Sequence, residues 1–197
     1  MNNNFINRKD RIIASAIEII SEAGLASLTT RTLAMKENMS ESLLYRYFGG
    51  IEEVLVEVVE TFTKFDKGII ATIEAKNISH YDKVIEFVKM LATNYTGYEE
   101  IAAVALNYEG FLHNVNTREM MADCLMRRKG FIIQEIEKAI AAEEIIDIFT
   151  PEELSNIIVG TLNRDLLNRR LAIDSKSHEQ MSSDWLVKLA KILKKQM

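Results

Sequence analysis

The chain has 197 residues, of which 48% are hydrophobic and 27% charged, and its formal net charge is -5. That length buries a sizeable core in one or two domains, and the single cysteine excludes an internal disulfide, as expected of a chain in a reducing cytoplasm. No apolar signal region opens the sequence and no apolar run nears the ~18 residues of a membrane span, so neither secretion nor a membrane is expected.

One proline and eight glycines leave few helix breakers, and long helices are expected throughout. Residues 2–7 are polar and read as a frayed start. Arg8, Lys9 and Arg11 stand at the entrance of the first helix, either as solvated surface or as phosphate contacts. Ile12, Ile13, Ala16, Ile17 and Ile20 fall on one helical face, and Gly24 is a left-handed stop. Residues 30–37 form a short helix with Leu33 and Ala34 inward. The turn falls at Asn38, a residue that tolerates left-handed backbone, and Met39 can fill the angle behind it. Ser40 is placed to cap a second helix that runs to Phe48, its hydroxyl accepting an orphan backbone N–H. Leu44 and Phe48, at i and i+4, share one face, while Glu41, Ser42, Tyr45 and Arg46 lie on the other with Tyr47 beside them. A short helix that buries leucine and phenylalanine yet displays serine, tyrosine and arginine is suited to a DNA major groove. This is a helix-turn-helix arrangement.

Gly49 and Gly50 break that helix, and a long bridging helix follows over residues 51–76 with Val54, Leu55, Val58, Val59 and Phe62 in one stripe. Further helices are expected at 80–96, 99–113, 117–144 and 151–172, the last opened by the capping run Thr150-Pro151-Glu152-Glu153. Residues 174–180 read as a polar loop, and Ser183 as the cap of a final helix whose basic end holds Lys188, Lys191, Lys194 and Lys195. No strand-like alternation is sustained. The expected fold class is all-α, with about nine helices in two domains. Residues 1–50 form a three-helix helix-turn-helix head, and residues 51–197 a helical ligand-binding and dimerisation domain.

Residues 1–50 hold six Lys/Arg and five Asp/Glu, a balance of +1 that is less acidic than the remainder without being a basic patch. His80, His113 and His178 are far apart and Cys124 has no nearby partner, so no metal site is expected. No nucleophile elbow, phosphate loop or dinucleotide glycine pattern occurs, so neither an enzyme nor a cofactor is expected. The middle helices mix large, adaptable and polar side chains: Phe87, Met90, Leu91, Tyr95, Asn107, Tyr108, Phe111, Met121 and Cys124. Singly each reads as core; together they suit an apolar pocket with a few orienting polar atoms. The last two long helices carry more apolar positions than one side can use. Leu162, Leu166, Leu186, Leu189 and Leu193, with Leu167 and Leu171, predict a two-fold four-helix interface in a homodimer.

The segment LTTRTLA at residues 28–34, followed by LYRYF at 44–48 and acidic Glu52 and Glu53 opening a long helix, resembles the TetR (tetracycline-repressor-like) family of transcriptional regulators. The resemblance covers about the first sixty residues. It implies a homodimeric regulator, a repressor of a palindromic double-stranded operator, released by a small-molecule effector held in the middle helices. By position, Thr30 and Arg31 are placed for phosphate or base contact, Ser40, Glu41, Ser42 and Leu43 for base reading, Tyr45 and Tyr47 for phosphates, and Arg46 for guanine or phosphate. The chain departs from the family pattern at Glu41 and Ile51, where a lysine is usual, which removes two cations from the DNA side. The alternative is a dimeric small-molecule-binding protein of the same fold that has lost operator binding.

Overall fold

The structure is a computed structural model that describes residues 7–171 and 178–193. Among these, ten α-helices and one 3-10 turn follow in order: α1 (Arg8–Ala23), the turn Leu25–Ser27, α2 (Thr30–Lys36), α3 (Glu41–Leu44), α4 (Ile51–Glu74), α5 (His80–Gly97), α6 (Glu99–Leu106), α7 (Tyr108–His113), α8 (Arg118–Ala141), α9 (Pro151–Arg170) and α10 (His178–Leu193). No β-strand occurs among the described residues, so the fold is all-α as expected.

Several boundaries differ from the sequence expectation, among them α8, which ends at Ala141 rather than 144. The recognition segment is regular α-helix only over Glu41–Leu44, then continues as tight turns through Tyr47. The Phe48 N–H still reaches the Leu44 carbonyl at 3.1 Å, so the i, i+4 facing of the two apolar side chains survives. The helix expected over 99–113 is broken at Asn107, whose backbone N–H and Nδ2 both donate to the Ala103 carbonyl, at 3.0 and 2.8 Å. The bridging helix ends at Glu74 rather than 76, within the fraying expected of any helix end. The last helix already runs from His178, so Ser183 lies inside it rather than capping it. Residues 2–6, the end at Ala172, most of the 174–180 loop and Lys194 and Lys195 lie outside the described residues.

Packing divides the chain into two compact units, Met1–Lys64 with Tyr98–Ala122, and Phe65–Gly97 with Asp123–Met197. This differs from a division at residue 50, because α6 and α7 fold back onto the N-terminal helices. In the first unit α6 packs on α1, and α7 comes so close to the Leu25–Ser27 turn that a Cβ added at Gly110 would lie 2.5 Å from Leu25 Cδ2. Ile12, Ile20, Leu33, Leu44, Phe48, Val58 and Phe62 are almost wholly enclosed there, each burial stabilising by ~1.5–3 kcal/mol. In the second unit α5 packs on α10 and α9, and α9 on α10. Phe87 and Phe131 meet at its centre with ring centroids 5.0 Å apart and a 52° tilt. The α8–α9 connection is pinned by Glu144, whose carboxylate accepts the His80 and Tyr81 backbone N–H groups at 3.1 and 2.8 Å and so caps α5.

Candidate functional site

The N-terminal site is built by caps. Thr29 and Thr32 form a reciprocal capping box at the start of α2. At its end Asn38 sits at φ +50°, and the Met39 and Asn38 N–H groups return to the Ala34 and Met35 carbonyls at 2.9 and 3.1 Å. This is a Schellman closure with asparagine in the left-handed position, and it fixes the corner. Ser40 Oγ then accepts the Leu43 N–H at 3.2 Å and starts α3. Leu44 and Phe48, each 2% exposed, hold the segment to the core. Arg31, Ser40, Glu41, Ser42, Tyr45 and Arg46 are exposed; Thr30, Leu43 and Tyr47 are half-buried.

Electrostatics at this surface are less simple than the sequence suggests. Thr30 Oγ1 donates to Glu41 Oε2 at 2.7 Å, so the unexpected carboxylate is held by the preceding helix. Glu37, buried at the end of α2, pairs with Arg11 at 2.9 Å and accepts from Ser15 Oγ at 2.7 Å. Lys36 pairs with Glu18 at 3.0 Å and Glu22 at 3.2 Å, and the hydrogen bond to Glu18 leads the causes that raise its pKa. Lys9 lies 5.0 Å over the Phe48 ring and 3.9 Å from Glu53. Among the described residues, this leaves Arg8, Arg31 and Arg46 as the head's cations outside ion pairs. Lys9 and Arg11 are thus engaged within the unit, by Glu53 and Glu37, and the pairing of Arg11 with Glu37 was missed in the sequence. A basic residue and an acid 26 positions apart on two different helices give no linear signal.

At the N-terminus of α4, Glu53 accepts the Gly49 N–H at 2.6 Å, and Glu52 accepts from Asn114 and Asn116 Nδ2 at 2.8 and 3.1 Å. Both acids thus serve the fold of the first unit. Ile51 beside them is half-buried.

These residues 12–58 match the model of "Bacterial regulatory proteins, tetR family". Over this segment the chain resembles that family. No curated protein matches in sequence. Solved structures do match in fold: the ketosteroid transcriptional regulator KstR2 of Mycobacterium tuberculosis has a TM-score of 0.84 at 13% identity, covering 100% of this chain and 98% of that one. The fatty acid degradation regulator FadR from Bacillus halodurans has 0.74 at 19%, covering 94% and 95%. FadR from Bacillus subtilis, solved in complex with stearoyl-CoA, has 0.73 at 19%, covering 91% and 96%. At such identities the likeness is one of fold.

The nine side chains expected to line a pocket are shared between the two units. Phe87, Met90, Leu91, Tyr95 and Cys124 belong to the second unit; Asn107, Tyr108, Phe111 and Met121 belong to the first. Tyr108 is 43% exposed, and Asn107 is spent on its own backbone. The break at Asn107 sets α7 beside the 3-10 turn Leu25–Ser27 of the first unit. Within the second unit the polar partners of the expected set are two residues that sequence reasoning missed. Arg128 Nη2 donates to Asp66 Oδ1 at 2.7 Å, and its Nε donates to Asp66 Oδ2, a two-pronged buried pair. The Cys124 thiol donates to the same Oδ2 at 3.1 Å, and the guanidinium lies 5.8 Å from the centroid of the Tyr95 ring. Burial, the largest influence, pushes the Tyr95 hydroxyl up to about 12. Burial pulls Arg128 down, but Tyr95 and Asp66 more than offset it and leave it charged. Asp66 and Arg128 are 62 positions apart, and each reads alone as an ordinary exposed helix charge.

The residues expected at a dimer interface lie on α9 and α10. Leu162, Leu166, Leu186 and Leu193 are at most 6% exposed in the single chain, and Leu189 is half-buried. The exposed apolar side chains in this region are instead Ile157, Leu167, Leu171, Val187 and Ile192. Among the described residues no three His, Cys, Asp or Glu come together as a metal site requires, and no helix is long and apolar enough to cross a membrane.

Proposed function

We propose that the protein is a ligand-responsive transcriptional repressor that binds a palindromic operator as a homodimer. The observation that carries the reading is the recognition segment. Leu44 and Phe48 anchor it, while Ser40, Glu41, Ser42, Tyr45 and Arg46 remain outward and exposed. In a dimer, two such segments would enter successive major grooves. Glu41, steadied by Thr30, is positioned to accept from cytosine N4, with Arg46 and Tyr45 serving guanine or phosphate. The dimer face assigned here is the exposed set Ile157, Leu167, Leu171, Val187 and Ile192.

Residues 51–197 act as the sensor and dimerisation part. The effector has an apolar or amphipathic body, held in the second unit among Phe87, Leu91 and Tyr95. The fold relatives solved as fatty acid and ketosteroid regulators support that class. A ligand that binds better in the DNA-free arrangement shifts the population off the operator. A thermal-shift screen of apolar amphipaths, followed by operator titration, tests this. Stabilising compounds should weaken DNA binding by linkage. Stabilisation with undiminished DNA affinity would overturn release.

The head's weak positive balance and the carboxylate of Glu41 favour a second reading, a binding protein that no longer holds an operator. Capture of operator DNA distinguishes the two.

A further inference from the structure

Glu41 is held differently from four other acids of the head. Glu18, Glu22, Glu37 and Glu53 each meet a lysine or arginine. Among the described residues no ion pair engages Glu41. Its Oε2 is braced by the Thr30 hydroxyl at 2.7 Å, its Oε1 accepts no hydrogen bond, and the side chain is exposed.

Such a carboxylate opposes the phosphates of any duplex, so it weakens general affinity and favours only sequences that offer it a donor. In the major groove the base-edge donors are cytosine N4 and adenine N6. In an A·T pair the amine lies between adenine N7 and thymine O4, acceptors that both repel a carboxylate oxygen. In a C·G pair guanine O6 lies on one side only and the cytosine C5–H on the other, so cytosine is favoured. The neighbouring serines add no such choice: Ser40 and Ser42 Oγ lie 2.9 Å apart, and a hydroxyl can donate or accept.

The hydrogen that a carboxylate accepts from cytosine N4 is the one not used in base pairing. A methyl group on N4 must take that same groove-facing position for the pair to survive. It removes the donor and sets an apolar group against a carboxylate that Thr30 restrains from turning aside.

We propose that Glu41, with Thr30 as its positioning residue, makes operator binding depend on the methylation state of a cytosine N4 in each half-site: the unmodified amine is held and the methylated one rejected. This rests on the reading of the chain as an operator-binding homodimer. DNA modification is then a second input to the regulator, independent of any effector.

The test uses the full-length chain and a site that it selects from a random-sequence duplex library. Each cytosine of that site is replaced in turn, in one and then both half-sites, by N4-methylcytosine, and affinity is read by fluorescence anisotropy. Modification at one symmetric position should weaken wild type about tenfold per half-site and about a hundredfold in both. Glu41→Ala should bind methylated and unmodified duplexes equally, which also controls for weaker base pairing in the modified DNA. Thr30→Val, which keeps the side-chain volume without the hydroxyl, should shrink the penalty while leaving helix content unchanged. Absence of any methylation-sensitive cytosine, or the same penalty in Glu41→Ala, would overturn the proposal and leave the operator reading intact. An undiminished penalty in folded Thr30→Val would overturn the positioning role. Selection of no sequence would remove the operator reading and the proposal with it.

Discussion

Replacing Ile51 with lysine tests the electrostatic picture of the DNA surface. In one protomer Arg8, Arg31 and Arg46 stand outside ion pairs, whereas Lys9, Arg11 and Lys36 are engaged by Glu53, Glu37, Glu18 and Glu22. A dimer then neutralises at most about six phosphates, and at ~0.9 per phosphate the logarithmic salt slope is about -5. Between 50 and 200 mM salt, affinity should fall roughly a thousandfold. Ile51 opens α4 and is half-buried, so a lysine stem can cover the same apolar surface while its ammonium reaches outward. Ile51→Lys adds one phosphate contact per protomer, steepening the slope by about 1.8 and bringing the loss over the same range to roughly ten-thousandfold. Fluorescence anisotropy with labelled operator across salt concentrations measures both slopes, and circular dichroism checks the fold. An unchanged slope in a folded variant would show that Ile51 does not face a phosphate. A wild-type slope steeper than about -8 would refute the count of engaged cations.

Three further outcomes follow from the packing. Leu167→Asp, at a side chain 40% exposed in one protomer, should convert a sedimenting dimer to a monomer without lowering helix content. Leu166→Asp, where 6% is exposed, should lower helix content and stability instead, and dissociation to a folded monomer would contradict that assignment. Thr29→Ala removes the α2 capping box and should cost about 1 kcal/mol in urea denaturation, with no loss meaning that α2 does not depend on it. Glu135 is held below its ordinary 4.5: burial opposes this, but hydrogen bonds from Lys138 and His80 outweigh it. A depressed carboxylate stabilises the fold above its unfolded pKa and loses that contribution as pH falls through the folded value. The melting-temperature gap between wild type and Glu135→Gln should therefore be full at pH 6 and shrink below about pH 4.5, and a gap independent of pH would refute the assignment.

The head was legible in the sequence because its local signals agree with its packing. Asn38 takes the left-handed backbone its residue type permits, Ser40 caps where a serine should, and Leu44 and Phe48 bury together even though regular helix ends at Leu44. Thr150 and Glu153 close the box that opens α9 for the same reason. The rest depends on tertiary choices that periodicity does not carry. Asn107 ends a helix by a side-chain hydrogen bond that glycine and proline counts cannot register. A surplus of leucines on α9 indicates two apolar faces but not which is inward, and Leu166 is 6% exposed in the single chain whereas Leu167 is 40% exposed. Asp66 and Arg128 find each other only through the packing of α4 and α8.

The account turns on whether the recognition segment reads DNA. Purified protein should be mixed with fragments of its own genome and the captured DNA sequenced, in parallel with an Arg46→Ala, Tyr45→Ala variant. Wild type should retain a few fragments that share a two-fold-symmetric site, and the folded variant should retain none of them. Capture of no fragment above background by wild type, or equal capture of the same sites by the variant, would contradict it.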